Sequence, residues 1–254
     1  MKHFTGCLSQ DLRRCLLSKQ FVLSTIGVSL IHFLSAWWDI QASYSCVAYY
    51  YFVARVMGLE NLFLVVAVIP GALSFRKETD NAYGRMVIIR SSMTAYLTSK
   101  SVVAFISAAL VSVLGDFLFI GGLSLYYPIW DASFSNQVAG IDIWKYSAMY
   151  FVYYILIRSF CAALFSVVTL LISLYVNNMF VVLSVPIAGF YFWETLSDYL
   201  QFPSQMDIRH LLNGTALGWE SMESMVFSLS TFVILSLLSS VYFIFGGRRK
   251  LASE

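Results

Sequence analysis

Few residues of this sequence could do chemistry inside a membrane, and those few lie within long apolar runs. Arg158 is near the middle of one run, and Glu60 is a turn or two inside the end of another. A central arginine in a bilayer-crossing helix costs at least ~2.5–3.5 kcal/mol, so it should face protein or water rather than lipid. We predict that Arg158 pairs with Glu60 as an interhelical ion pair, or faces a cavity that receives an anionic group.

Histidines and the remaining acids are expected to play smaller parts. His32 lies in the first apolar run, where a hydrogen-bonded packing role is expected and a ligand or proton-relay role is the alternative. His3 and His210 lie in other regions, so spacing predicts no metal site. We expect Glu60 to be the only acid well inside an apolar run, with Asp116 among the acids on the outer side.

A second group of candidate residues lies in the charged segment Phe75–Lys100. Five of the sixteen Lys/Arg fall here: Arg76, Lys77, Arg85, Arg90 and Lys100. Apolar residues, Met86–Ile89 and Ala95–Leu97, stand between the charges. A polar segment with apolar side chains between two membrane spans predicts a docking site for a soluble partner. The alternative is a basic loop that only sets topology.

Several familiar catalytic patterns are missing from the sequence. There is no G-x-x-x-x-G-K-[ST] phosphate loop, no H-E-x-x-H and no G-x-S-x-G. The four cysteines show no paired spacing. We therefore expect a protein that is not an enzyme, binds no cofactor of its own and has no nucleic-acid partner.

Composition indicates what kind of element must hold these residues. Apolar residues make up 59% of the 254-residue chain and charged residues 12%, against about 45–50% and about 25% in soluble domains. A bilayer must therefore be the solvent, and helices must cross it because their backbone groups are satisfied internally. The prediction is an all-α integral membrane protein with six spans. They are roughly Phe21–Trp38, Val56–Phe75, Ser101–Leu123, Tyr146–Leu174, Met179–Leu196 and Ser224–Phe245.

The distribution of cations predicts the orientation of these spans. With six spans, twelve of the sixteen Lys/Arg lie on the side of the two termini and three on the other. Basic residues stay cytoplasmic, so both termini are predicted to be inside. We divide the chain into residues 1–20, a six-span domain at 21–247 containing a cytoplasmic loop at 76–100, and a basic tail at 248–254.

Three local patterns add detail to this organisation. Apolar residues recur every four positions at Phe4, Leu8, Leu12 and Leu16, which predicts an amphipathic helix at the cytoplasmic interface or, alternatively, a short basic anchor. Small residues at Ala104, Ala108 and Ser112 allow a close helix approach, within the subunit or across a dimer. The long connection at 197–223 is expected to fold back as short helices.

In this topology the chain resembles the permease subunit of bacterial type-2 ABC transporters. The family's loop after the second span has an aromatic, a Glu, a Gly, an apolar run, a Ser/Thr turn and a Lys. These positions are filled here by Phe75, Glu78, Gly84, Val87–Ile89, Ser91–Ser92 and Lys100. Asn177–Asn178 resembles the family's turn between spans four and five. The turn proline common in the family is missing here.

The resemblance implies a coupling helix, roughly Ser91–Leu97, that docks on separate ATPase subunits. The coupling residues would be Glu78, Gly84, Arg85, Arg90, Ser92, Tyr96 and Lys100. ATP and Mg²⁺ would bind to the partner ATPase, while two permease subunits, identical or sister chains, enclose a pathway in the bacterial cell membrane. The resemblance favours export of a hydrophobic or amphipathic peptide. The alternatives are a secondary carrier, a substrate-binding component of an uptake system, or an antimicrobial-immunity membrane protein.

Overall fold

The computed structural model describes residues 2–37, 45–46, 49–50, 53, 61–80, 92–129, 147–218 and 222–253. Every regular element in these ranges is a helix. In chain order the helices are α1 (Lys2–Leu16), α2 (Lys19–Ala36), α3 (Leu62–Asp80), α4 (Met93–Leu123), α5 (Ser147–Ser173), α6 (Met179–Leu200), α7 (Ile208–Leu212) and α8 (Met222–Ser253).

Five of these helices, α2, α4, α5, α6 and α8, are long and apolar enough to cross a membrane. A spanning helix needs about 20 mostly apolar residues, which each of the five supplies or approaches. In α3 the apolar part within the described ranges is Leu62–Gly71, which is shorter. The sequence-based expectation of an all-helical membrane protein is confirmed, and five of the six expected spans are present as such helices.

The bundle is built around α5. Of its most apolar stretch, 72% is buried, against 17% for the corresponding stretches of α6 and α8. Helix α5 packs on α4, α8 and α3, and α4 also contacts α1 and α2. Helices α4 and α5 therefore form the interior of the fold, whereas α6 and α8 present most of their apolar surface outward.

Small residues bring α3 and α4 into backbone contact. A Cβ atom added to Gly71 would lie 2.8 Å from the Ala104 Cα, so no larger residue fits there without a shift. Ala104, Ala108 and Ser112 are fully buried within this one chain. The predicted close approach is confirmed. The structure also shows that it serves packing inside the subunit.

The N-terminal helix is present and is held to the start of α4 by a buried ion pair. The Lys100 ammonium lies 3.0 Å from Asp11 Oδ1, and the Ser99 hydroxyl donates to Asp11 Oδ2 at 2.6 Å. Both Lys100 and Asp11 are buried. The predicted helix is therefore confirmed. It docks on the protein itself through a polar contact that its apolar periodicity did not indicate.

The connection after α6 folds back onto the bundle. It contains the short helix α7, as expected from the sequence. The Tyr153 hydroxyl of α5 donates to the Gly214 carbonyl at 2.7 Å, and Gly214 has φ +64°, a conformation that favours glycine. At the start of α6, Asn178 caps the helix by accepting from the Phe180 amide at 2.9 Å. The cap lies at the end of the short connection predicted between α5 and α6.

Candidate functional site

A cluster of ionisable side chains is buried where α2, α4 and α5 meet. His32 comes from α2, Asp116 from α4, Arg158 from α5, and Tyr50 from the described stretch before α3. His32, Tyr50 and Asp116 are 0% exposed and Arg158 is 2% exposed. Such residues are rare inside membrane helices and mark a functional site by default.

Asp116 is the acceptor at the centre of the cluster. Its Oδ1 lies 2.7 Å from His32 Nε2, and its Oδ2 accepts from the Tyr50 hydroxyl at 3.2 Å. An ionised carboxylate can only accept, so in that state Nε2 of His32 carries the hydrogen. Nδ1 of His32 then presents a lone pair, and among the described residues it has no hydrogen-bond partner.

Aromatic rings separate this cluster from the surroundings. The guanidinium carbon of Arg158 lies 4.5 Å from the centre of the Phe63 ring, a cation–π contact. The His32 ring centre is 6.2 Å from that of Phe63 and 5.6 Å from that of Phe119, which it meets edge-on. Arg158 is also within electrostatic range of His32. Arg158, His32 and Asp116 thus share one enclosure that is lined by aromatic rings.

Arg158 faces protein, as expected from the sequence, and does not face lipid. Its predicted partner Glu60 lies outside the described residues. The expectation that Asp116 is one of the outer acids is wrong, because Asp116 lies within α4 and is fully buried against His32. A signal was available in the sequence. Asp116 stands in the run Val113–Ile120 among apolar neighbours, where only a paired carboxylate is tolerated.

The predicted coupling residues fall into two sets. The Ser92 hydroxyl accepts from the Ala95 amide at 3.2 Å and caps α4, so the helix predicted to begin there is confirmed. It continues without a break through Lys100 to Leu123. Gly84, Arg85 and Arg90 lie outside the described residues, as does the side chain of Glu78.

Tyr96 and Lys100 are directed into the protein. Tyr96 is 1% exposed, and its ring centre is 6.4 Å from that of Phe75. The Lys100 ammonium lies over the Tyr96 ring at 5.4 Å while it pairs with Asp11. In this conformation neither side chain is presented to a soluble partner. Lys100 lies at the contact between α1 and α4, whereas Tyr96 packs with Phe75 of α3.

A third charged group lies in the connection after α6. Arg209 donates to both oxygens of Asp207, at 3.2 Å from Nε and 2.8 Å from a terminal nitrogen, and also to Asp198. Burial raises the pKa of Asp207, but the hydrogen bonds from Arg209 outweigh it and hold that pKa below its usual value. The hydrogen bond to Asp207 raises the pKa of Arg209. This group fixes α7 against the end of α6.

Within the described part of the chain, no group of three or more His, Cys, Asp or Glu side chains could hold a metal ion. No family model, no curated protein and no solved structure matches this chain.

Proposed function

We propose that this chain is the membrane-spanning permease subunit of an ATP-driven exporter. In this proposal it has six spans with both termini in the cytoplasm of a bacterial cell. Two such subunits enclose the pathway, and separate ABC ATPase subunits dock on the loop at 76–100. The substrate is a hydrophobic or amphipathic peptide. The support is the charge distribution of the sequence, its resemblance to type-2 permeases, and the geometry of α4.

The geometry of α4 is the observation that carries the proposal. One unbroken helix of 31 residues begins at the Ser92 cap, within the proposed docking segment at 76–100, and contains Asp116 near its other end. At helical rise, Met93 and Asp116 are about 35 Å apart along the axis. A displacement of the loop by an ATPase would therefore be transmitted along α4 to the contact between Asp116 and His32.

The two ends of α4 are held by different contacts. Near the loop, Lys100 binds Asp11 of α1, and deep in the bundle Asp116 binds His32 of α2. Transport requires a change between two arrangements of the spans. In our proposal ATP binding shifts α4 relative to α1 and α2, so both buried pairs must rearrange during the cycle.

Co-purification with an ATPase tests the proposal. The chain is co-expressed with the ABC ATPase encoded nearest to its gene, and the complex is assayed for ATP hydrolysis. We expect stable association, and we expect Glu78→Lys combined with Arg90→Glu to weaken it without unfolding the helices. The matched control is Arg13→Glu combined with Glu223→Lys, which makes the same charge changes at exposed positions. A chain that never associates with the ATPase contradicts the proposal.

A second candidate function is a proton-coupled secondary carrier, and the buried pair favours it. A carrier of this kind needs an ionisable group deep in its spans, and Asp116 with His32 supplies one. Export of a labelled hydrophobic peptide from cells distinguishes the two. An ATP-driven exporter loses export when the P-loop lysine of the ATPase is replaced and keeps it in the presence of a protonophore. A carrier shows the opposite pattern.

A further inference from the structure

A groove of about 1120 Å³ lies between the last turns of α5 and the C-terminal third of α8. Its walls are apolar: Leu171 and Ile172 come from α5, and Val241 and Phe245 come from α8. Val241 is 47% exposed and Phe245 is 61% exposed, so the groove opens to the outside of the bundle. Its lining would suit a hydrocarbon chain.

One end of the groove is cationic. Arg249 and Lys250 line it there, and Lys250 is fixed by donating to the Leu174 carbonyl at the end of α5. Arg249 offers a planar fork of N–H donors that matches phosphate oxygens. Tyr175 adds a phenol at the same end, where Gly246 leaves room for its hydroxyl, because a Cβ there would lie 2.7 Å from Tyr175 Oη.

The position along α8 places this charged end at the level of lipid headgroups. The apolar stretch of α8 with its flanks, Met222–Lys250, is 29 residues long, or about 43 Å at helical rise. That length matches a bilayer of about 40–45 Å including its headgroup regions. Arg249 and Lys250 therefore reach the headgroup layer, while Val241 and Phe245 lie at the depth of the acyl chains.

We propose that this groove binds an anionic phospholipid of the phosphatidylglycerol type. The phosphate would contact Arg249 and Lys250, and an acyl chain would lie along Val241 and Phe245. The cationic end complements the charge of the lipid headgroup, and the apolar wall complements its acyl chain. A second copy of the chain fits less well, because a two-fold interface through this face would bring the same cations together.

Titration of lipid into the purified full-length chain, followed by native mass spectrometry, tests this site. We expect phosphatidylglycerol to be retained and phosphatidylcholine to be retained less. Loss of one cation near a membrane surface weakens anionic lipid binding about fivefold, so Arg249→Gln should show a loss of this size. Arg248→Gln is the matched control, since Arg248 is exposed, adjacent and outside the groove lining. Circular dichroism confirms that each variant is folded.

A second variant tests the apolar half of the site. Val241→Trp fills the wall of the groove and should weaken phosphatidylglycerol retention while leaving all charges in place. The proposal is overturned if Arg248→Gln and Arg249→Gln lose lipid equally, if phosphatidylcholine binds as tightly, or if Val241→Trp has no effect. Displacement by inorganic phosphate alone would show a free-anion site instead. A dimer that Val241→Trp dissociates would show an interface between copies.

Discussion

Asp116 is the residue on which the buried cluster depends. It accepts from His32 and Tyr50, and all three side chains are fully buried. In an apolar enclosure, a charged or polar group that loses its partner is left with the full cost of desolvation. The arrangement is therefore stable only as a set, and any motion that separates Asp116 from His32 must supply a replacement partner, such as water.

Asp116→Leu should lower the stability of the folded bundle by about 1–3 kcal/mol for each buried donor that it leaves unsatisfied. The reason is that His32 and Tyr50 both lose their acceptor. Asp116→Asn should cost less, because an amide oxygen still accepts one hydrogen bond. Thermal unfolding in detergent measures both effects.

Ser112→Ala is the control for that experiment. Ser112 lies one turn before Asp116 on α4, is equally buried, and its hydroxyl has no hydrogen-bond partner among the described residues. Removal of this hydroxyl should leave the unfolding temperature nearly unchanged. Equal losses for Asp116→Leu and Ser112→Ala would mean that the cluster has no special role in stability.

Asp207 should make the connection after α6 sensitive to acid. Its pKa is lowered in the folded protein, so the stabilisation from Arg209 is present above the unfolded value of about 3.9 and is lost as the pH falls through the lowered folded value. Trp193, whose indole donates to the Met206 carbonyl at 2.9 Å, reports on this region by fluorescence. We expect a transition below about pH 4 in the wild type. Asp207→Asn should abolish it, and an unchanged transition in that variant would assign it to other carboxylates.

Most helices could be predicted from the sequence, because the patterns that indicate a helix are contained in short stretches of chain. The lengths of the apolar runs gave α2, α4, α5, α6 and α8 within a few residues at most ends. The helix start at Ser91–Ser92 was predicted as well, and the structure places the cap at Ser92. The exceptions are the start of α4 and the end of α8, each eight residues beyond the predicted span, because a helix can extend beyond the bilayer wherever capping and packing sustain it.

The contact between α1 and α4 can be tested by cysteine labelling. Cys15 of α1 is buried, and burial raises the pKa of its thiol, so it should react slowly with maleimide. Lys100→Met leaves Asp11 buried without its ammonium partner and should release α1. Labelling of Cys15, followed by peptide mass spectrometry, should then become about tenfold faster.

Cys7 provides the internal reference for this labelling. It lies on the same helix and is only partly buried, so its rate should change little. Lys19→Met removes a cation from an exposed position nearby and should leave Cys15 protected. If Cys15 stays protected in Lys100→Met, the ion pair does not hold α1 in place, and apolar contacts alone dock the helix.

At the scale of the whole molecule, the described helices form a core around α5 with two outward-facing helices, α6 and α8. Exposed apolar residues such as Phe180 and Phe192 on α6 and Leu237 on α8 suit contact with lipid or with a second subunit. Several polar side chains, such as His32, Asp116 and Arg158, are buried among the helices while large apolar side chains are exposed, whereas a soluble protein keeps most of its polar side chains outside. This inversion follows from the apolar solvent around the helices.

The six-span topology that we propose predicts that both ends of the chain lie in the cytoplasm. A fluorescent-protein fusion after Glu254 should therefore be fluorescent, and an alkaline phosphatase fusion at the same place should be inactive. A phosphatase fusion within the connection between α4 and α5, for example after Asp131, should be active. The same result for fusions at Asp131 and Glu254 would exclude this topology.

Composition indicated a bilayer as the solvent. Run length, capping residues and small-residue spacing indicated the helices and a close crossing, because each of these signals is contained in a short stretch of chain. Which side chains meet depends instead on how distant parts of the chain pack together. His32 and Asp116 are 84 residues apart, and Asp11 and Lys100 are 89 apart. Which helices pack against each other is set by shape and small-residue contacts, such as Gly71 against Ala104. Local periodicity carries no information about this arrangement.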